Sequence, residues 1–275
     1  MKDHLVIADA HVHFYDCFDM EQLFDSAFNN FHKNVGNLVK GAPFSAFLFL
    51  AETKSENWFH QFSTRAEKGP ARAEKMGKWE LQPTQEDCSL YVHPNGNKKD
   101  GLYLIAGRQI KARENLEVLA LGTIQDLEER APLEELIRQI GQLGAIPVIP
   151  WGAGKWIGRR GEFLKNLLGR DLPPSFLGDN RNRPIFWPKP YLFKQAGEKG
   201  LSILPGTDPL PFPSEMWQIG NFGFKVHGSI NSEYPFRDIK KLLLDPVARP
   251  RAYGSLENPV RFFCNQLRMK WMKRK

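Results

Sequence analysis

Short apolar runs alternate along this chain with stretches whose apolar residues recur three and four positions apart. The first run, residues 5–14, has the length of a buried strand and carries Asp9, His11 and His13 toward its end. Residues 20–32 place Leu23, Phe24, Ala27, Phe28 and Phe31 at helical spacing and predict an amphipathic helix with those side chains inward. Pro43 precedes a second buried strand at 44–50, with Glu52 just past its end, and a helix follows over 56–68, closed by Gly69 and Pro70. Between 78 and 111 the texture changes to short alternating runs and a Pro-Asn-Gly turn at 94–96. That pattern predicts a hairpin-rich excursion that rejoins the main sheet at Leu102. Strands are then expected at 116–121, 145–150, 175–178 and 201–204, with helices over 132–143, 162–168 and 191–199.

Counting strand starts at Leu5, Phe44, Leu102, Leu116, Ala145, Ser175 and Leu201 gives about seven strands alternating with helices, the signature of parallel β/α units. His11, His13, Glu52, Asp179 and Asp208 all fall at or just past a strand's carboxyl end, where both β/α barrels and open α/β sheets place their sites. No Gly-x-Gly-x-x-Gly follows the first strand, which favours a barrel over a dinucleotide-binding sheet. The expected organisation is a barrel over 1–225, with an insertion at about 78–101. Residues 226–275 form an extension, Pro- and Arg-rich at 246–259, that wraps the barrel before a last helix at 259–271 and a basic tail.

With 275 residues and 41% hydrophobic content, the chain is long enough to bury a full α/β core without disulfides. Cys17, Cys88 and Cys264 are odd in number and widely spaced, so they make neither a disulfide framework nor a zinc–cysteine motif, and a reducing cytoplasm is expected. No leader pattern and no run of membrane-spanning length is present. The net charge of +7 is concentrated partly in residues 268–275, where cations interleave with Met and Trp; a solvated face is the ordinary reading, and contact with acidic lipid or nucleic acid the functional one.

His11 and His13 are two apart on a strand, so their imidazoles share a face and can aim at one point, as a pair of nitrogen ligands to a divalent ion does. Asp9 shares that face one step deeper, where it could orient a ligand or bind the ion itself. Residues 152–161 enter a helix with four glycines and the cations Lys155, Arg159 and Arg160, a candidate clamp for phosphate or carboxylate. The loop is not a Walker A motif, because Ile149 and Trp156 stand where Gly and Ser or Thr are needed. Arg181 and Arg183 could join the same patch. His32 reads as structural, His93 as a surface residue beside a turn, and His227 as structural, with closure over the site as the alternative. Trp151 and Trp156 read as exposed. No Gly-x-Ser-x-Gly elbow and no evident Cys–His pair exists, so serine or cysteine nucleophile chemistry is not expected.

Taken together, these strand ends resemble the polymerase and histidinol phosphatase (PHP) superfamily of metal-dependent phosphoesterases, over roughly residues 5–225. Asp9, His11 and His13 match the family's opening Asp-x-His-x-His, and Gly206, Thr207 and Asp208 are similar to its closing Gly-Ser-Asp-x-His with Leu210 in place of the histidine. Glu52 stands in the second-strand motif, and Asp179-Asn180 is similar to a later Glu-x-x-Asn. Gln109, Leu119 and Trp151 replace a bridging glutamate and two histidines. The resemblance implies a distorted seven-stranded β/α barrel and metal-activated hydrolysis of a small phosphorylated molecule. The replacements imply a thinned site holding one divalent ion (Zn, Mn or Fe) on His11, His13 and Asp208, completed from Glu52, Asp179 or Asp9, with Lys155, Arg159 and Arg160 on the phosphoryl group. An amidohydrolase would want further histidines on middle strands. The alternative from another class is a degenerate barrel that serves as a binding or assembly module.

Overall fold

In a computed structural model of the chain, residues 4–36, 44–67 and 76–272 are described. The expected Pro43, Lys68, Gly69 and Pro70 boundaries and the last three residues of the basic segment lie outside them. The first sheet begins with β1 (Leu5–Val12), buried along its whole length, and β2 (Phe44–Leu50), its parallel neighbour. Between them runs α1 (Met20–Val35), entered by the Asp19 side chain accepting the Gln22 N–H at 2.9 Å and ended at Gly36 with φ of 57°. Next come α2 (Trp58–Glu67), the antiparallel hairpin β3 (Trp79–Pro83) and β4 (Ser89–Pro94), and β5 (Leu102–Ile105). The excursion does rejoin the sheet at Leu102: β4 pairs antiparallel with β5, and β5 parallel with β2.

The second sheet starts where the same strand bends away. Beyond Ala106 the chain continues as β6 (Gly107–Lys111), which turns back as β7 (Glu117–Leu121). A Cβ on Gly107 would sit 2.3 Å from the Leu50 carbonyl oxygen, so only glycine permits this crossing. Then follow α3 (Leu133–Gln142), β8 (Ile146–Pro150), α4 (Arg159–Leu167), β9 (Phe176–Asn180), α5 (Tyr191–Glu198) and β10 (Ile203–Gly206). A 3₁₀ turn (Pro213–Gln218) leads to β11 (Gly223–His227), α6 (Pro235–Leu244), β12 (Arg251–Tyr253) and α7 (Pro259–Met272).

Strand order is β12-β11-β1-β2-β5-β4-β3 in one sheet and β10-β9-β8-β7-β6 in the other. Period-two alternation splits the second sheet between two cores. Leu119, Leu121, Ile146, Val148, Phe176 and Leu204 face the first sheet, while Val118, Ala120, Ile149 and Leu177 face α3, α4 and α5.

The described residues add two findings on topology. Among the described residues, hydrogen bonding makes two sheets rather than one closed seven-stranded barrel, and β7 runs antiparallel to both β6 and β8. The run at 107–111 is largely polar and carries no strand signal, so the sequence pattern does not show the β6–β7 hairpin. The expected division at 225 falls inside β11, which pairs antiparallel with β1, so the C-terminal segment shares the first sheet.

Candidate metal centre

The two sheets meet at the carboxyl ends of β1 and β10. A Cβ on Gly206 would lie 2.3 Å from the His11 nitrogen, so glycine lets the end of β10 press against β1. Thr207 then donates to Asp9 from its backbone N–H at 2.8 Å and from its hydroxyl at 2.6 Å, and Gly220 N–H adds a bond of 3.0 Å. The Asp208 N–H donates to the His11 carbonyl at 2.8 Å. Asp208 is left with φ of 47°, a left-handed backbone uncommon for a residue with a Cβ. Asn180 donates to its Oδ2, and Asn182 donates to its carbonyl.

This seam brings ligand-type atoms to one point. His11 Nε2 and His13 Nε2 are 3.1 Å apart, and Asp208 Oδ1 lies 3.5 and 3.6 Å from them. Gln109, whose cross-strand partner Leu119 faces the inner core, puts Oε1 3.1 Å from His11 Nε2. His13 Nδ1 faces Glu56 Oε2 at 3.4 Å, and that carboxylate also accepts the Thr53 N–H at 2.7 Å. Tyr15 stacks on His13 with ring centroids 5.9 Å apart.

The donor set fits a divalent cation. With Glu56 at Nδ1, a neutral His13 carries its proton there and turns a lone pair inward from Nε2. His11 Nε2 then has at most one N–H for three acceptors: His13 Nε2, Asp208 Oδ1 and Gln109 Oε1. A tetrahedral ion with bonds of about 2.0–2.1 Å sets its ligands roughly 3.3 Å apart, and the atoms here are 3.1–3.6 Å from one another along these contacts. The carboxylates Asp208, Glu56 and Glu117 all act on His13, and Lys155, paired with Glu117, acts on Asp208. That leaves a local charge of −2 for the ion to meet.

Burial is the largest influence on His11 and lowers its pKa, against the opposing charge of Asp208. For His13 burial pulls the same way, but the Glu56 hydrogen bond and the charges of Asp208 and Glu56 outweigh it and raise the pKa. Burial works upward on Asp208, yet His11, His13 and Asn180 hold its carboxyl below the usual range. His11 is thus biased toward its neutral form and His13 toward its cation, beside a carboxyl biased toward its anion.

Three other expected ligands point elsewhere. Asp9 is wholly buried, and its oxygens are taken by Thr207, Gly220 and the His11 N–H. Glu52 accepts the Phe59 N–H at 2.8 Å, at the N-terminus of α2, and pairs with Arg108 at 3.1 Å. Asp179 is gripped by Arg183 through Nε at 2.9 Å and a second nitrogen at 2.7 Å. Of the cations, Lys155 pairs with Glu117 and its charge acts on Asp208, Arg159 is exposed at the start of α4, and Arg160 holds the Gly154 carbonyl at 2.9 Å. Arg181 pairs with Glu257 at 2.9 Å.

His93 is buried rather than on the surface, stacked beside Tyr91, because β4 lies inside the sheet. Trp151 and Trp156 are likewise buried, in the core under α4 and α5. His227 pairs with Leu5, at the end of β1 opposite the site. Glu56, Glu117, Tyr15 and the asparagines 180 and 182 were not anticipated as a supporting shell. Glu56 and Tyr15 do lie within a few residues of strand ends, the signal that located the ligands themselves.

Fold and site together define a mixed α/β protein of two sheets with a candidate divalent-metal centre on His11, His13 and Asp208. Among solved structures, PsfC from Pseudomonas syringae PB-5123 is similar, with a TM-score of 0.57 and 13% identity over 98% of this chain and 100% of that one. The lesion-specific endonuclease PfuEndoQ from Pyrococcus furiosus aligns at a TM-score of 0.48 and 13% identity, over 90% of this chain and 57% of that one. At such identity the likeness to PsfC shows a shared fold and nothing finer. No family model and no curated relative matches the chain. Among the described residues no helix is long and apolar enough to cross a membrane.

Proposed function

We propose that the chain is a PHP-like, metal-dependent hydrolase acting on a small phosphoester, its two sheets being the halves of a distorted β/α barrel. One divalent ion (Zn, Mn or Fe) would be held by His11, His13 and Asp208, with Gln109 as a neutral oxygen neighbour. The observation that carries this reading is the convergence of His13 Nε2, Asp208 Oδ1 and Gln109 Oε1 on His11 Nε2, more acceptors than one proton can serve. A bound ion of this kind would supply Lewis acidity and lower the pKa of a bound water to about 7.

The chain's own groups do the rest. Glu56 keeps the His13 proton on Nδ1 and fixes the ring. Asn180, Asn182 and the His11 carbonyl hold Asp208 in its left-handed turn. Lys155, paired with Glu117 and acting by its charge on Asp208, would meet negative charge growing on the phosphoryl oxygens together with exposed Arg159, while Arg160 shapes the loop. In this reading Asp9, Glu52 and Asp179 position backbone rather than bind the ion.

A specific observation favours a second reading, a binding or assembly module. Leu119 and Trp151, buried and apolar, stand where the resemblance expects histidine ligands. Metal analysis of protein purified without chelator, with aryl phosphate hydrolysis after metal addition, separates the two. One equivalent of metal and turnover, both lost in His11→Ala, supports the hydrolase. Metal without turnover supports the module, and neither metal nor turnover rejects the centre.

A further inference from the structure

We propose that the outward face of α7 docks this protein onto an anionic lipid surface. The inner side of the helix is seated: Phe262 and Asn265 are buried, and Arg261 binds Glu215 at 2.6 Å and Glu257 at 3.4 Å. At 3.6 residues per turn, Val260, Phe263, Leu267 and Trp271 fall in one stripe on the opposite side. They are 71, 58, 68 and 61% exposed. A surface helix ordinarily turns only its polar side to water, and this one exposes a row of large apolar side chains beside its polar ones. Phe186 widens the stripe by stacking on Phe263 with centroids 5.9 Å apart and planes 10° from parallel, and exposed Ile185 adjoins it. Single exposed apolar residues need no explanation, but a contiguous set marks a contact surface.

Charge selects the occupant. Residues 259–275 contain Arg261, Arg268, Lys270, Lys273, Arg274 and Lys275, and no acid. On the helical wheel Arg268, whose exposed side chain also lies over the Phe212 ring at 3.9 Å, and Lys270 flank the stripe on its two sides. Two copies of α7 packed stripe to stripe would oppose cation to cation with no acid on either helix, which disfavours self-association. An interfacial helix buries such a stripe of Val, Phe, Leu and Trp beneath the headgroups, while flanking Lys and Arg reach anionic lipid. Phosphate-backbone binding would use the cations and leave Val260, Phe263 and Leu267 in water.

Sedimentation of the full chain with vesicles tests this. Binding is expected to phosphatidylcholine vesicles containing phosphatidylserine, and to be at least about tenfold weaker to phosphatidylcholine alone. Phe263→Ser with Leu267→Ser should weaken it by about tenfold or more without altering circular dichroism or the thermal midpoint. Lys270→Glu should weaken it and flatten its salt dependence. Absence of binding to the anionic vesicles overturns the proposal, as does binding that survives the double serine variant. A dimer that this variant converts to monomer, without lipid binding, assigns the face to a second copy instead. Nucleic-acid binding indifferent to the double variant, again without lipid binding, assigns the cations to phosphate backbone.

Discussion

Thr207→Val removes one hydroxyl from the seam that sets Asp208, and its effect can be worked out from the contacts of Asp9. Both residues are buried, and the Thr207 hydroxyl donates to Asp9 Oδ2 at 2.6 Å, while the backbone donors from His11, Thr207 and Gly220 remain in the variant. Valine is nearly isosteric, so no large cavity opens. Burial pushes Asp9 up to about 7, against the hydrogen bonds that favour its anion. Above that pH the lost bond is to a charged group, worth about 1.5–3 kcal/mol; below it the carboxyl carries its own proton and the bond is worth about 0.5–1.5 kcal/mol. The expected penalty is therefore about 2 kcal/mol near pH 8.5 and about 1 kcal/mol near pH 5.5.

The sign for the parent protein follows from linkage. Asp9 titrates at 3.8 when unfolded and near 7 when folded, so folding takes up a proton between those values. The stability this group contributes is complete below the lower value and is lost as pH rises through the upper one. Removing a donor to the anion raises the folded pKa further, which deepens the loss at high pH. Urea unfolding of metal-free protein at both pH values measures the penalty. A zinc titration should show affinity weakened by about tenfold, because Thr207 positions the neighbouring ligand. A penalty under about 0.5 kcal/mol near pH 8.5, or an equal one at both pH values, would refute the reasoning.

Gly206→Ala should be more severe, by about 3 kcal/mol or loss of folded protein, because its Cβ would overlap the His11 backbone; a urea midpoint near that of the parent chain would contradict this. Glu56→Ala should weaken metal affinity by about 10–100-fold while leaving the unfolding midpoint within a few degrees, measured by competition with a chromogenic chelator. Glu52→Ala should do the reverse, costing about 1–3 kcal/mol by leaving the Phe59 N–H without its acceptor and Arg108 with Asp126 alone as its acid, with metal stoichiometry unchanged. Loss of metal in Glu52→Ala at parental stability would restore Glu52 to the ligand set.

The metal pair was legible because it depends on local geometry. Two histidines at alternate positions near a strand's end share a face whatever the rest of the chain does, and His11 and His13 meet at 3.1 Å. Asp208 was legible as a strand-end acid, though nothing local foretold its left-handed backbone or the asparagines that hold it. Glu52 and Asp179 looked equivalent to Asp208 for the same reason. What separates them is competition: Glu52 has α2's first amides and Arg108 beside it, and Asp179 has Arg183 four residues on. A strand-end carboxylate goes to the nearest strong donor, and the chain order does not reveal which donor that is.

By itself the sequence determined the alternation of strands and helices, the hairpin at 79–94, the inward faces of α1 and the histidine pair, since each rests on periodicity within a few residues. Tertiary structure alone decided that one strand bends at Gly107 from the first sheet into the second, that β7 runs backward, and that Gly206 lets β10 press on β1. The two glycine contacts join residues some 60 and nearly 200 positions apart and are governed by how closely backbones approach, a distance no local pattern encodes.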